Sequence, residues 1–236
     1  NVKPIIANTS LIKALNTNTT DDNKHAMESF MRAYDSSKLG RPEVVEWISS
    51  SAPTILADDK ISFEERNKYF EFATKAIESV TKDLEIDPRY EMVAGNFYSS
   101  VGSSEIALNH LNRAKEVMPE KQMIYFALGQ LAIRDGKTKE SLEYFKQAYE
   151  LAPEYEESQV IYLVGAVYAK DYTLIDSLLK IISPEVLIND TRVLSVMYQT
   201  GQKNLLLSTL RSIKNKLPER SDQIDEYIKQ IESGKI

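Results

Sequence analysis

The two histidines, His25 and His110, are the residues of this 236-residue chain best suited to acid–base or metal chemistry, and they lie far apart among polar neighbours. A metal site needs several ligands at close spacing, such as two His one helical turn apart, and the sequence offers no such cluster. It also has no Cys, which removes disulfides, thiolate nucleophiles and Cys-based zinc sites and leaves the redox compartment open. A nucleophile–base pair would therefore have to be Ser with Lys. Ser10 with Lys13 and Ser79 with Lys82 have that spacing, but helix surfaces supply it freely. The stretch Asp58-Asp59-Lys60-Ile61-Ser62-Phe63-Glu64-Glu65 looks like half of a calcium loop. Its first and third ligand positions, however, would fall on Thr54 and Leu56, which bring no carboxylate. Ser62 with Glu65 reads better as a helix capping box. Glycine-rich phosphate loops are absent, so the residues point to no catalytic centre, no cofactor and no metal.

Composition sets the frame for these side chains. With 42% apolar and 27% charged residues the chain is expected to fold, as one elongated or two compact domains. Lys and Arg number 29 against 35 Asp and Glu, a net charge of −6 with both signs mixed along the chain. That balance speaks against a nucleic-acid partner. The longest apolar run, Val160 to Ala169, is half of the roughly 20 residues that a bilayer span needs, so no membrane crossing is expected.

The chain repeats itself. Gly95 and Gly129, Gly102 and Gly136, Leu111 and Phe145, Ala114 and Ala148, and Pro119 and Pro153 are each 34 residues apart. The unit reads as a helix, a tight glycine turn, a second helix and a proline stop. Gly and Ala mark where two backbones approach, and Leu111 or Phe145 fills the space between them. Weaker copies follow: one starts at Gly165 and Tyr168 with a short second helix over residues 173–182, and another holds Tyr198, Gly201 and Pro218. Ala26, Phe30 and Ala33 suggest a divergent earlier copy, preceded by a helix over Ile5, Ile6, Leu11, Ile12 and Leu15 and a polar loop from Asn16 to Asn23. Between Pro42 and Asp87 the period breaks. Pro42 opens a helix that Pro53 is expected to end, and Ser62 opens a long helix carrying Phe63, Tyr69, Phe70, Ala73, Ile77, Val80 and Leu84. The reading is an all-α chain, an α-solenoid of antiparallel helix pairs with about twelve to thirteen helices. It divides into a divergent part over residues 1–87, repeats over 88–220 and a capping helix over 221–236.

The unit resembles the tetratricopeptide repeat, most clearly in residues 122–155, where Tyr125, Leu128, Gly129, Ser141, Phe145, Ala148 and Pro153 fall on its pattern. In residues 88–121 Gly95, Tyr98, Ala107, Ala114 and Pro119 match, whereas Glu91 stands where the pattern has a large apolar residue. The resemblance implies a non-enzymatic fragment whose concave groove binds a protein or peptide. Carried onto this chain, the groove positions are Arg89, Met92, Asn96, Ser99 and Ser100, then Met123, Phe126, Gln130, Ile133 and Arg134. Gln159, Tyr162 and Lys170, and then Arg192, Val196 and Gln199, continue the series. A carboxylate-gripping variant of the groove is not indicated, because Met92 and Ala127 occupy positions where that variant has polar residues. A narrower resemblance rests on Asn1-Val2-Lys3-Pro4-Ile5-Ile6-Ala7 and Leu39-Gly40-Arg41-Pro42-Glu43. These strings are similar to the junction that follows the last membrane helix in bacterial O-antigen ligase/polymerase-type proteins with a tetratricopeptide tail. That implies a soluble domain tethered to the bacterial inner membrane, on either side, with the transfer chemistry elsewhere in the protein. The alternative is a free-standing cytoplasmic adaptor.

Overall fold

The computed structural model describes residues 9–14, 22–36, 38–83 and 86–234. The Asn1 to Ala7 motif, Leu15, residues 16–21 of the expected polar loop and Leu84 lie outside them; residues 9–14 are helical. Thirteen further α-helices follow among the described residues: α1 (Asn23–Ser36), α2 (Arg41–Ala57), α3 (Phe63–Asp83), α4 (Pro88–Ser100), α5 (Ser104–Val117), α6 (Gln122–Arg134), α7 (Thr138–Leu151), α8 (Glu156–Ala169), α9 (Tyr172–Ile181), α10 (Pro184–Asn189), α11 (Thr191–Gln199), α12 (Lys203–Lys216) and α13 (Ser221–Ser233). No described residue is in a strand. The helices form two compact units, Asn1–Ala127 and Leu128–Ile236, whose boundary falls inside α6.

In the first unit α2 packs on α1, α3 and α4, and α4 packs on α5. Its core contains Phe30, Ile48, Ile55, Tyr69, Ile77 and Phe97, all fully buried. The expected capping box is present. The Ser62 hydroxyl donates to Glu65 Oε2 at 2.7 Å, and the Glu65 amide donates back to Ser62 Oγ at 3.3 Å. Lys24 of α1 pairs with the same carboxylate at 2.7 Å, and Asn23 Nδ2 donates to Asp58 at 2.9 Å. The bonds from Lys24 and then Ser62 hold the Glu65 carboxyl down at about 2. One expectation is corrected: Pro53 does not end α2, which runs through it to Ala57. The buried face of Val44, Val45, Ile48, Ala52 and Ile55 continues past the proline. Burial of that face, at roughly 1.5–3 kcal/mol per large side chain, outweighs the roughly 3 kcal/mol that an interior proline costs.

In the second unit α7 packs on α8, α8 on α9 and α11, and α12 on α11 and α13. Phe145 of α7 is its hub. A Cβ added to Gly129 of α6 would lie 2.2 Å from Phe145 Cε1, and one added to Gly165 of α8 would lie 2.6 Å from Cδ2. Both helices thus come against one ring, on the two sides where glycine leaves room. The first unit repeats the device once, with Gly95 against Leu111 at 2.6 Å.

The turns between paired helices share one geometry. Gly136 has φ +75 in the left-handed region, and the Lys137 amide bonds back to Ala132 O at 2.8 Å. Gly102 and Gly201 occupy the same place in their turns. Between α8 and α9 the place is taken by Lys170, with φ 56. Gly102, Gly136 and Lys170 follow at the 34-residue period, so the third unit begins at residue 156 rather than where Gly165 would set it. The short α9 and the added α10 then bring the next such turn, at Gly201, 31 residues after Lys170.

Gly129→Ala is expected to cost about 1–3 kcal/mol of unfolding free energy, because the phenyl ring has helices on both sides and little room to retreat. Adding Phe145→Leu should recover part of the loss. Urea unfolding followed by circular dichroism measures both, and an unchanged midpoint for the single variant would show that the ring yields freely.

Candidate functional site

Two side-chain constellations stand out, one in each unit. In the first, Glu91 of α4 is 1% exposed, and its two oxygens are approached from α5 by His110 and Arg113. His110 Nδ1 donates to Oε2 at 2.6 Å, and the Arg113 guanidinium lies 2.9 Å from Oε1. The His110 ring also stacks on Tyr98 at 5.6 Å with an interplanar angle of 3°. The Tyr98 hydroxyl donates to Glu78 of α3, and burial, reinforced by that carboxylate, pushes its pKa up to about 12. Thirty-four residues on, the place of Glu91 is taken by Tyr125, whose hydroxyl donates to Pro119 O at 2.7 Å. The charged cluster therefore stands where the next repeat has a buried aromatic side chain. His110 is partly packed and His25 lies at the surface beside Asp22. Lys82, half of one Ser–Lys pair, instead pairs with Glu78 at 3.6 Å.

In the second unit a groove of about 540 Å³ opens between α6, α8 and α11. Gln130, Ile133 and Arg134 come from α6, Ile161, Val164 and Tyr168 from α8, and Thr191, Arg192, Ser195, Val196 and Gln199 from α11, with the edge of Phe145 between them. The 3.6-residue period puts one face of each helix toward the same space. At one end α11 is fastened to α8: Arg192 Nη1 and Nη2 donate to the two oxygens of Glu157, each at 2.6 Å. Asp190 caps α11 by accepting from the Arg192 amide, and its carboxylate also receives the guanidinium. Glu157 and Asp190 together raise the Arg192 pKa, and Arg192 in turn lowers that of Asp190. Planar, two-bond pairing of this kind fixes the angle of the side chain as well as its charge.

The expected groove residues divide. Gln130, Ile133, Arg134, Arg192, Val196 and Gln199 line the groove of the second unit. Tyr162 instead turns away to stack on Tyr149 at 5.2 Å, and Lys170 forms the left-handed turn. The physical reason is the register set by Lys170, which brings Ile161, Val164 and Tyr168 to the groove in their place. Gln159 donates to Pro153 O at 2.8 Å. In the first unit Asn96 is exposed, Met92 is half-buried and Met123 is 53% exposed, whereas Phe126 is buried at 4%. Arg89 is engaged by Glu46 of α2, at 2.7 Å from its Nε. The residues missed on α8 carried a usable signal, the 34-residue step from Gly136 to a lysine.

Residues 123–155 match the family model of the tetratricopeptide repeat. No curated protein matches the sequence significantly. Among solved structures, a tetratricopeptide repeat protein from Parabacteroides merdae is similar over 96% of this chain and 89% of its own, with 14% identity and a TM-score of 0.57. The pilF protein of Pseudomonas aeruginosa is similar over 92% and 95%, with 12% identity and a TM-score of 0.54. The fold is thus all-α, of the tetratricopeptide α-solenoid type. Among the described residues no helix is long and apolar enough to cross a membrane.

Breaking the buried cluster of the first unit by His110→Ala should cost about 3–5 kcal/mol, because Glu91 loses a partner while still excluded from water. Replacing both Glu91 and His110 with Leu should cost much less than the single change. A double-mutant cycle by urea unfolding reads the difference, and a harmless single variant would show that the pair contributes no stability.

Proposed function

We propose that this chain is a non-catalytic interaction domain that holds an extended peptide, or one helix of a protein partner, in the groove between α6, α8 and α11. Residues 88–220 are read as the repeat array and 221–236 as its cap. The observation that carries the reading is that three helices present apolar side chains and polar edges to one open space. Half-buried Ile133 offers apolar contact above a floor of the buried Ile161, Val164 and Val196, while Gln130, Arg134, Ser195 and Gln199 offer hydrogen bonds and charge along the rim. Such a lining suits a ligand that has both a backbone to bond and side chains to bury.

A second reading makes the chain the tail of a membrane-bound O-antigen ligase/polymerase-type protein of surface polysaccharide assembly. It is supported by the resemblance of the N-terminal strings. The Gly40-Arg41-Pro42-Glu43 element opens α2, with Gly40 before its first residue and Pro42 and Glu43 in its first turn. A gene whose reading frame encodes several apolar spans of about 20 residues upstream supports this version; without them the free-standing adaptor is favoured.

The groove itself is tested with the exposed pair Gln130→Trp and Arg134→Glu. Peptides selected from a random display library against the wild-type chain should bind the double variant at least about ten-fold more weakly, a loss of about 1.4 kcal/mol, at an unchanged melting temperature. Equal affinity for both proteins would remove the groove as the binding site. Phe126→Ala is unsuitable for this purpose, because that side chain is buried and its loss would report on stability.

A further inference from the structure

A second concavity lies across α11 from the groove, between α11, α12 and α13. It has a volume of about 280 Å³. Leu194, Leu206, Leu210 and Ile231 form its walls, and Tyr198 and Tyr227, 44% and 38% exposed, line it as well. None of its lining residues is charged. Thr191, Ser195 and Gln199, spaced one helical turn apart on α11, border both this cavity and the groove and so form a low polar ridge between them. Thr191 also borders a third hollow, where Glu156, Glu157, Glu185 and Asp190 gather with no Lys or Arg in the lining. Arg192 engages Glu157 and Asp190, so the carboxylates near the ridge outnumber the guanidinium.

These features together specify an occupant. The cavity falls just below the roughly 300–1,000 Å³ of small-molecule sites, and its walls offer dispersion and burial with no charge to satisfy. One large apolar side chain fits that chemistry. A polypeptide bearing it would cross the ridge into the adjoining groove, whose charged residues are Arg134 and Arg192; on the Thr191 side it meets instead the surplus of Glu156 and Glu185, which favours a cation next to the anchor there. We propose that the cavity anchors one aromatic or leucine-like side chain of a bound peptide that carries Lys or Arg next to that anchor. The inference rests on the groove reading and names the kind of peptide the groove takes.

The test uses three blocked peptides: acetyl-Ser-Lys-Phe-Lys-Ser-amide, its Phe-to-Ala analogue and its Lys-to-Glu analogue. Each is titrated into the full chain with isotope-labelled Ile, Leu and Val methyl groups and followed by NMR. The expected result is a saturable shift of the Leu194, Leu206 and Leu210 methyls with the Phe peptide. Affinity should fall about ten-fold or more for the Ala analogue, which buries far less apolar surface, and should fall also for the Glu analogue. Leu194→Trp, which fills the cavity from a half-buried position, should abolish these shifts while leaving the melting temperature unchanged, and Tyr227→Ser should weaken them. Shifts confined to Ile133, Ile161 and Val164 would overturn the anchor site while leaving the groove reading intact. Shifts confined to the cavity would support the anchor and count against the groove. Equal binding of the Phe and Ala peptides, or no shift with any of the three, overturns the proposal. So does movement of the cavity methyls with protein concentration alone, which would mark a second copy of the chain as the occupant.

Discussion

The second unit depends on one contact, the Phe145 ring held between two helices that each lack a side chain where they meet it. Glycine at 129 and at 165 is a requirement of distance: any Cβ there would fall inside the ring's van der Waals radius. The contact sets how closely α6 and α8 approach α7. That in turn decides which faces of α6 and α8 remain to form the groove. Arg192, Glu157 and Asp190 complete the frame by fixing α11 against α8 through charge in addition to packing. The groove is therefore bounded by one apolar constraint and one electrostatic one, and neither requires a residue that chemistry would call reactive.

Much of this was legible before any coordinates, for a physical reason. A helix hairpin that buries one face against its neighbours must repeat its small residues, its filler and its turn at fixed distances, so Gly95, Gly129, Leu111 and Phe145 announce the packing directly. What was hidden lay where one residue can do another's work. A left-handed turn prefers glycine, yet Lys170 adopts it because the surrounding helices define the turn. Reading Gly165 as the repeat's glycine moved the α8 face by two residues, and so Tyr162 was expected where Ile161 and Val164 stand. Gly165 is a true close approach, but to Phe145 of the preceding helix and not to a filler on the helix that follows. Pro53 misled in the same manner, since local propensity lost to the apolar face it interrupts.

The first unit shows the reverse exchange, polar groups where the repeat has an aromatic. Glu91 sits in the position of Tyr125 and is held by His110 and Arg113 from the paired helix. The sequence marked Glu91 as a departure from the pattern but could not show its partners, because nothing about a lone His and Arg on the next helix announces which carboxylate they face. The apolar concavity at α13 was invisible for a related reason: its walls come from three helices, each of which spends most of its apolar face on ordinary core.

Helix α8 differs from its neighbours in having almost no wet side. From Val160 to Val167 every residue is buried, so the segment borrows its entire shelter from other parts of the chain. Natural trimming, proteolytic or evolutionary, is thereby restricted. A chain severed just after Ala169 would leave a bare greasy rod for chaperones and proteases to find, and this region can therefore shed or gain repeats only in pieces that keep that rod covered.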